Sequence, residues 1–226
     1  KLNARIIIIY ALVIGLGLIC LLPLWNIVAI SLSGSAAVAG NKVGLIPIDL
    51  TFGAYQKIMG DGQFWRSFGI SVLRVIVTLA LNLILIVLMA YPLAKSKRAF
   101  KGRSIYMNIM IFAMLFNGGM IPTYLVVKQL GLLNTIWALI LPMAVSPFNI
   151  IVMRTFFKRS VPDSIIESAR IDGASELRIF TQIVLPLAVP GIATISLFAA
   201  LGYWNDWFNA LLYISNDKLI PLQYLL

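Results

Sequence analysis

Residues 158–190 read KRSVPDSIIESARIDGASELRIFTQIVLPLAVP, from Lys158 to Pro190. This is the one long run in which charged and apolar residues interleave, and apolar stretches flank it on both sides. A segment carrying so many charges must lie outside the hydrocarbon core, where an ionised side chain is costly. Its pattern is that of folded chain. Ser160, followed three residues later by Asp163 with Pro162 between them, predicts a helix start: a hydroxyl cap, a proline suited to the first turn and an acid at the positive helix end. Ile165, Ile166 and Ala169, with Pro162, form one stripe at helical spacing. Asp163, Glu167 and Arg170 form the opposite stripe, with Glu167 and Arg170 one turn apart and placed to pair. Gly173 predicts the stop, because glycine takes the left-handed conformation that ends helices. Ser175 is placed to cap a second helix running through Leu177 and Phe180 into the next apolar run, with Pro186 at the membrane edge. The expected object is a lever, a short surface helix joined rigidly to a membrane segment.

Composition says what the lever is attached to. Of 226 residues 61% are hydrophobic and 12% charged, with a mean hydropathy of +0.96, where a soluble domain carries roughly 25% charged residues. A soluble core of this size cannot hide that much apolar surface, so an all-α integral membrane protein is expected. The single cysteine, Cys20, leaves no partner for a disulfide within these residues. The absence of histidine removes the commonest metal ligand and the usual base near neutral pH.

One transmembrane domain over residues 1–226 is expected, with spans at about 6–30, 67–94, 105–127, 134–157 and 183–203 and a cytoplasmic loop at about 158–182. Pro23 is expected to kink the first span. Thr51–Met59 has a weak amphipathic helical pattern suited to the membrane surface, with Trp65 as an interfacial anchor. Asn117-Gly118-Gly119 and Pro122 interrupt the third span, and Pro142 and Pro147 lie inside the fourth.

Charge then orients the chain. On one side lie Lys1, Arg5, Lys95, Lys97, Arg98, Lys101, Arg103, Arg154, Lys158, Arg159, Arg170 and Arg178. On the other lie Lys42, Lys57, Arg66, Arg74, Lys128 and Lys218. Twelve against six puts the N-terminus and the 158–182 loop in the cytoplasm. Arg74 and Lys128 are expected to snorkel to the outer surface.

On composition alone the loop has two fates, lying on lipid or docking on a protein. Asp163, Glu167, Asp172 and Glu176 make it a poor match for an anionic leaflet. At Glu167-Ser168-Ala169, then Gly173, then Ile183 and Leu185-Pro186, the run resembles the EAA loop of ATP-binding-cassette (ABC) importer permeases, with Ser168 in place of the first Ala. Phe116–Tyr124 (FNGGMIPTY), Leu130–Thr135 (LGLLNT) and Trp204-Asn205-Asp206-Trp207 resemble the carbohydrate-uptake branch, especially the smaller, maltose-type second permease and permeases for complex oligosaccharides. The resemblance implies a type I importer permease bundle of six spans, five of them visible here, so a sixth is expected beyond the C-terminal residue.

It also implies a coupling helix at about Val161–Ile171, with Asp163, Glu167, Ser168, Ala169, Arg170, Asp172 and Gly173 docking on a cytoplasmic ATPase subunit. Glu167 would meet that subunit's polar groups, Ala169 would pack closely and Gly173 would let the turn fit. The implied partners are a second homologous permease, two nucleotide-binding ATPase subunits, an extracytoplasmic sugar-binding protein and the lipid bilayer of a bacterial or archaeal plasma membrane, with no nucleic acid. ATP and magnesium would sit on the ATPase subunits, so this chain is expected to hold no cofactor or metal and to be no enzyme.

For the translocation pathway the candidates are Asn117, Gly118, Gly119, Tyr124, Asn149, Trp204, Asn205 and Asp206. The Asn-Gly-Gly break can line a water-filled path or make a tight helix contact. The Trp204–Trp207 cluster suits sugar stacking and hydrogen bonding, or an interfacial aromatic belt. Tyr124, Asn149 and Asn82 also suit interhelical hydrogen bonds. A permease for another small polar solute fits the same motifs. An ion-coupled transporter fits poorly, because every acid lies in a loop or at a span end. A non-transporting scaffold is set apart by whether an external binding protein stimulates ATP hydrolysis.

Overall fold

The computed structural model describes residues 4–226, with the side chains of Ala4, Arg5 and Ile7 outside that description; Lys1, counted above for orientation, also lies outside it. All regular structure among the described residues is helical, in two compact units that divide at Trp65 and Arg66.

The first unit is built on α1 (Ala4–Ser31), whose Ile8–Ser31 stretch is long and apolar enough to cross a bilayer. Pro23 falls within this helix without ending it. The loop that follows folds back on its C-terminal end. The Trp25 indole donates to the Leu45 carbonyl at 2.8 Å, and Ser33 Oγ accepts from the Ile48 amide at 3.1 Å. Two short helices complete the unit, α2 (Ser35–Ala39) and the expected surface helix α3 (Gly53–Gly60), which has no buried residue.

The second unit is organised by α4 (Gly62–Ala94), a 33-residue helix whose first turn precedes the boundary. It is the second helix able to span alone. The remaining spans are broken pairs, giving up to five crossings in all. Helices α5 (Arg103–Leu115) and α6 (Met120–Gln129) meet at 112° across the Asn-Gly-Gly break. Next, α7 (Ile136–Ile140) runs through a 3-10 turn at Leu141–Met143 and meets α8 (Pro147–Ser160) at 51°. Pro142 and Pro147 account for that break, since neither can donate a helical hydrogen bond.

After α8 come α9 (Asp163–Ile171) and α10 (Glu176–Ile179), then a π-turn at Phe180–Val184, α11 (Leu185–Leu187) and α12 (Val189–Asn205). The segments either side of Ala188 cross at 71°. The second helix of the loop therefore does not run straight into the fifth span. Pro186 and Pro190 each lack the amide the preceding turn needs, and the chain relieves the strain with a π-turn and a bend. Helices α13 (Phe208–Tyr213) and α14 (Leu222–Leu225) close the unit.

A core of buried residues joins Ile86, Ala90 and Leu93 of α4 to Ile150, Met153 and Phe157 of α8 and to Ile179 and Val184 ahead of α12. Helix packing therefore fastens the 158–182 loop directly beneath the second and fourth spans.

Candidate functional site

Val161 is extended (φ −121°, ψ 100°), as a residue before proline tends to be, and Pro162 occupies the cap position of α9. Ser160 still belongs to α8, so the expected serine cap at Ser160 is replaced by a proline-initiated start, and the helix begins at Asp163 rather than Val161. Gly173 takes φ +77°, its amide bonds the Arg170 carbonyl at 3.0 Å, and the Ala174 amide bonds the Ala169 carbonyl at 2.9 Å. That pair of bonds is a Schellman stop, as the glycine predicted. Ser175 Oγ accepts from the Arg178 amide and caps α10.

The faces of α9 divide unequally. Ile166 and Ala169 are half-buried and pack on this chain's own core, so Ala169 is engaged from within. Asp163, Glu167, Ser168, Arg170, Asp172 and Gly173 are exposed. Ile165, expected on the inner stripe, is 41% exposed. At the tip Ile171 stands 86% exposed and Leu177 71%, two apolar side chains presented to water beside charged ones. Asp163, Glu167 and Arg170 also line a cavity of about 320 Å³ whose far wall is Lys95 and Tyr91 at the end of α4 and Lys158 of α8.

Arg170 does not pair with Glu167. Its Nη2 bonds Glu176 Oε1 at 2.7 Å, while Lys95 Nζ and the Tyr91 hydroxyl bond Glu176 Oε2 at 2.6 and 2.9 Å. The Lys95 bond, followed by those from Tyr91 and Arg170, outweighs partial burial and holds the Glu176 carboxyl at about 2. From the sequence alone Glu176 is no more than one acid among four.

The other ends of the spans hold a second cluster. Arg74 is 1% exposed and does not snorkel: its guanidinium bonds the Asp206 carboxylate and, at 2.8 Å, the Asp206 carbonyl. Its α4 neighbours Ser67, Ser71, Thr78 and Asn82 are buried on the same helix face. Within this stripe Ser71 Oγ accepts from the Leu222 amide at 2.8 Å, while Asn82 serves the broken fourth span, whose interrupted backbone must find partners inside the protein. Asn82 Nδ2 donates to the Ala144 carbonyl at 2.8 Å, and the Tyr203 hydroxyl donates to the Met143 carbonyl at 3.3 Å. Asn82 thus makes the interhelical bond expected of it.

The pathway candidates are dispersed. Asn117 Oδ1 accepts from the Gly119 amide at 2.9 Å in the α5–α6 break, where Asn117, Gly118 and Gly119 are all exposed. Tyr124 is half-buried and stacks on Tyr213 at 6.2 Å. Asn149 is half-buried in the first turn of α8, its amide on Ser146 Oγ. Trp204 meets Phe68 edge-on at 6.0 Å, Asn205 bonds back to the Leu201 carbonyl, and the Asp206 carboxylate is held by Arg74 and Asn209.

The sequence profile of binding-protein-dependent transport system inner membrane components matches residues 86–220, which include the whole α9–α12 region. The chain belongs to that family. Among its curated relatives, protein LplC of Bacillus subtilis (strain 168) is 49% identical over 212 residues, covering 94% of this chain and 71% of LplC. The polygalacturonan/rhamnogalacturonan transport system permease protein YtcP of the same organism is 44% identical, covering 96% and 75%. In three dimensions the chain matches a subunit of a bacterial ABC transporter involved in import of the acidic polysaccharide alginate, with a TM-score of 0.89 and 38% identity over 96% of this chain and 78% of that one. The helical bundle is thus that of an ABC importer permease, a multi-pass membrane subunit.

Proposed function

We propose that this permease carries an oligosaccharide inward, driven by ATP hydrolysis on two cytoplasmic ATPase subunits that bind at α9. One observation carries the docking part: α9 keeps Ile166 and Ala169 for its own core and turns Asp163, Glu167, Ser168, Arg170, Asp172 and the 86%-exposed Ile171 outward. A desolvatable apolar tip rimmed by charge suits a protein cleft better than an anionic lipid surface. A second permease and an extracytoplasmic binding protein complete the machine. The bundle alternates between inward-facing and outward-facing states as the ATPase pair closes and opens.

Orientation follows from cation placement, and the buried pairing of Arg74 sharpens it. With Arg74 removed from the external set, twelve cations face five, a bias that supports a cytoplasmic N-terminus and 158–182 loop. For cargo, fragments of acidic polysaccharides come first, because one relative is a polygalacturonan/rhamnogalacturonan permease and the solved relative imports alginate.

The test is uptake by the assembled transporter in vesicles. Glu167→Ala combined with Gly173→Pro is expected to abolish uptake and ATPase binding while the chain stays in the membrane. Full uptake by that double variant would sink the docking reading.

A further inference from the structure

Glu176 opens the segment that contains α10, the π-turn, α11 and α12, and Asp206 closes it. Both residues are fastened to the same helix. Tyr91 and Lys95, at the end of α4, hold Glu176, and Arg74 of α4 holds Asp206. At about 1.5 Å per residue, Arg74 and Tyr91 stand roughly 25 Å apart along α4, most of the ~30 Å hydrocarbon thickness. The segment between the two fastenings contains a π-turn and a 71° bend, so on its own it would yield at the bend when pushed. Helix α4 has no such break.

Resting on the docking reading above, we propose that Glu176 is a positioning residue that makes α4 the strut for coupling-helix displacement. Its carboxylate ties three elements at one point: Arg170 on α9, its own place in the first turn of α10, and Tyr91 and Lys95 at the end of α4. Tyr91 itself is wedged against Phe180 at 4.8 Å and Phe157 at 6.4 Å, and Lys95 Nζ lies 4.5 Å over its ring. A push on α9 therefore reaches α4 through Arg170 and Glu176 without passing Ala188. Because α4 also holds Asp206, the bend at Ala188 cannot open to absorb the push. Helices α9, α4 and α12 move as one body.

The experiment uses the assembled transporter with its ATPase subunits and binding protein in vesicles, and reads the ratio of solute imported to ATP hydrolysed. This ratio does not depend on how much complex folds. Glu176→Gln is expected to retain ATPase binding and lower the ratio about tenfold, within the range of allosteric coupling energies. Lys95→Met is expected to act alike, and the Lys95→Met, Glu176→Gln pair to be no worse than either alone, as for residues sharing one interaction. Tyr91→Phe, which keeps the ring contacts, is expected to give a smaller loss. An unchanged ratio in Glu176→Gln and Lys95→Met overturns the strut. An unmodified chain that fails to retain the ATPase subunits overturns the docking reading instead, and the strut with it.

Discussion

Arg74 and Asp206, 132 positions apart, form a buried ion pair with side-chain exposures of 1% and 11%. Arg74 also bonds the Asp206 carbonyl, and Asn209 Nδ2 bonds both Asp206 carboxylate oxygens at 3.0 Å. Two charges withdrawn from water gain less than their Coulomb energy suggests, but removing one of them strands the other. Arg74→Met is therefore expected to destabilise the detergent-solubilised chain by about 3–5 kcal/mol, and adding Asp206→Leu to recover most of that loss. Thermal unfolding of the two single variants and the double variant decides it. Melting temperatures equal to that of the wild type in all three would mean that the pair holds nothing.

Asn82 answers a backbone need rather than a charge. Asn82→Leu leaves the Ala144 carbonyl without its side-chain donor, and about 1–3 kcal/mol of stability is expected to go. Hydrogen exchange should show the loss locally, as faster exchange of the amides around Met143–Ser146. Protection unchanged there would count against the role given to Asn82.

Gly191 lies where α12 crosses α8. A Cβ at this position would stand 2.6 Å from Phe156 Cγ, so Gly191→Ala is expected to cost about 1–3 kcal/mol through overpacking. Truncating the obstacle with Phe156→Ala in the same chain should relieve part of that cost. Strict additivity of the two losses would place the clash elsewhere.

Gly173 is a backbone case, because a Cβ there would meet nothing within 4 Å. At φ +77°, Gly173→Ala costs about 1–2 kcal/mol for the left-handed conformation alone. Gly173→Asn is the milder replacement, since asparagine visits that region more readily. On the proposed docking, affinity of the immobilised permease for an ATPase subunit should rank glycine above asparagine above alanine, and a flat ranking would uncouple the turn from that proposal.

For acid stability the sign follows from Glu176, held at about 2 against an ordinary 4.5. A depressed carboxyl stabilises the fold fully above about 4.5 and loses that contribution as pH falls toward 2. The groups facing it are Tyr91 of α4, Lys95 just past the end of that helix and Arg170 of α9. Melting temperatures of the wild-type chain and of Glu176→Gln should therefore differ at pH 7 and converge toward pH 3. A gap that persists undiminished at pH 3 would remove the carboxylate as its source.

The parts that can be read from sequence are those whose cause is local. Gly173 stops α9 because of its own φ, and Ser175 caps α10 because its hydroxyl reaches an amide three residues on. The Asn-Gly-Gly break, too, is visible from three adjacent residues. What escapes such reading is set by competition or by distance. Two start signals overlap at Ser160 and Pro162, and proline wins because it forces Val161 to extend. Arg170 has acids on two helices within reach and takes the one held by α4. In sequence Arg74 is near one bilayer surface, while its partner lies 132 residues away at the end of a different helix.

The π-turn at Phe180–Val184 has a consequence for how this chain can change length. A π-turn holds one residue more than an α-turn, so it amounts to a stored insertion just after the Leu177–Ile179 turn. Losing one residue there would restore an ordinary α-helical turn, whereas a deletion anywhere in α12 would rotate Asp206 by about 100° away from Arg74. Single-residue length variation among functional relatives should therefore collect in this one turn, where the chain can shorten without breaking its grip on α4.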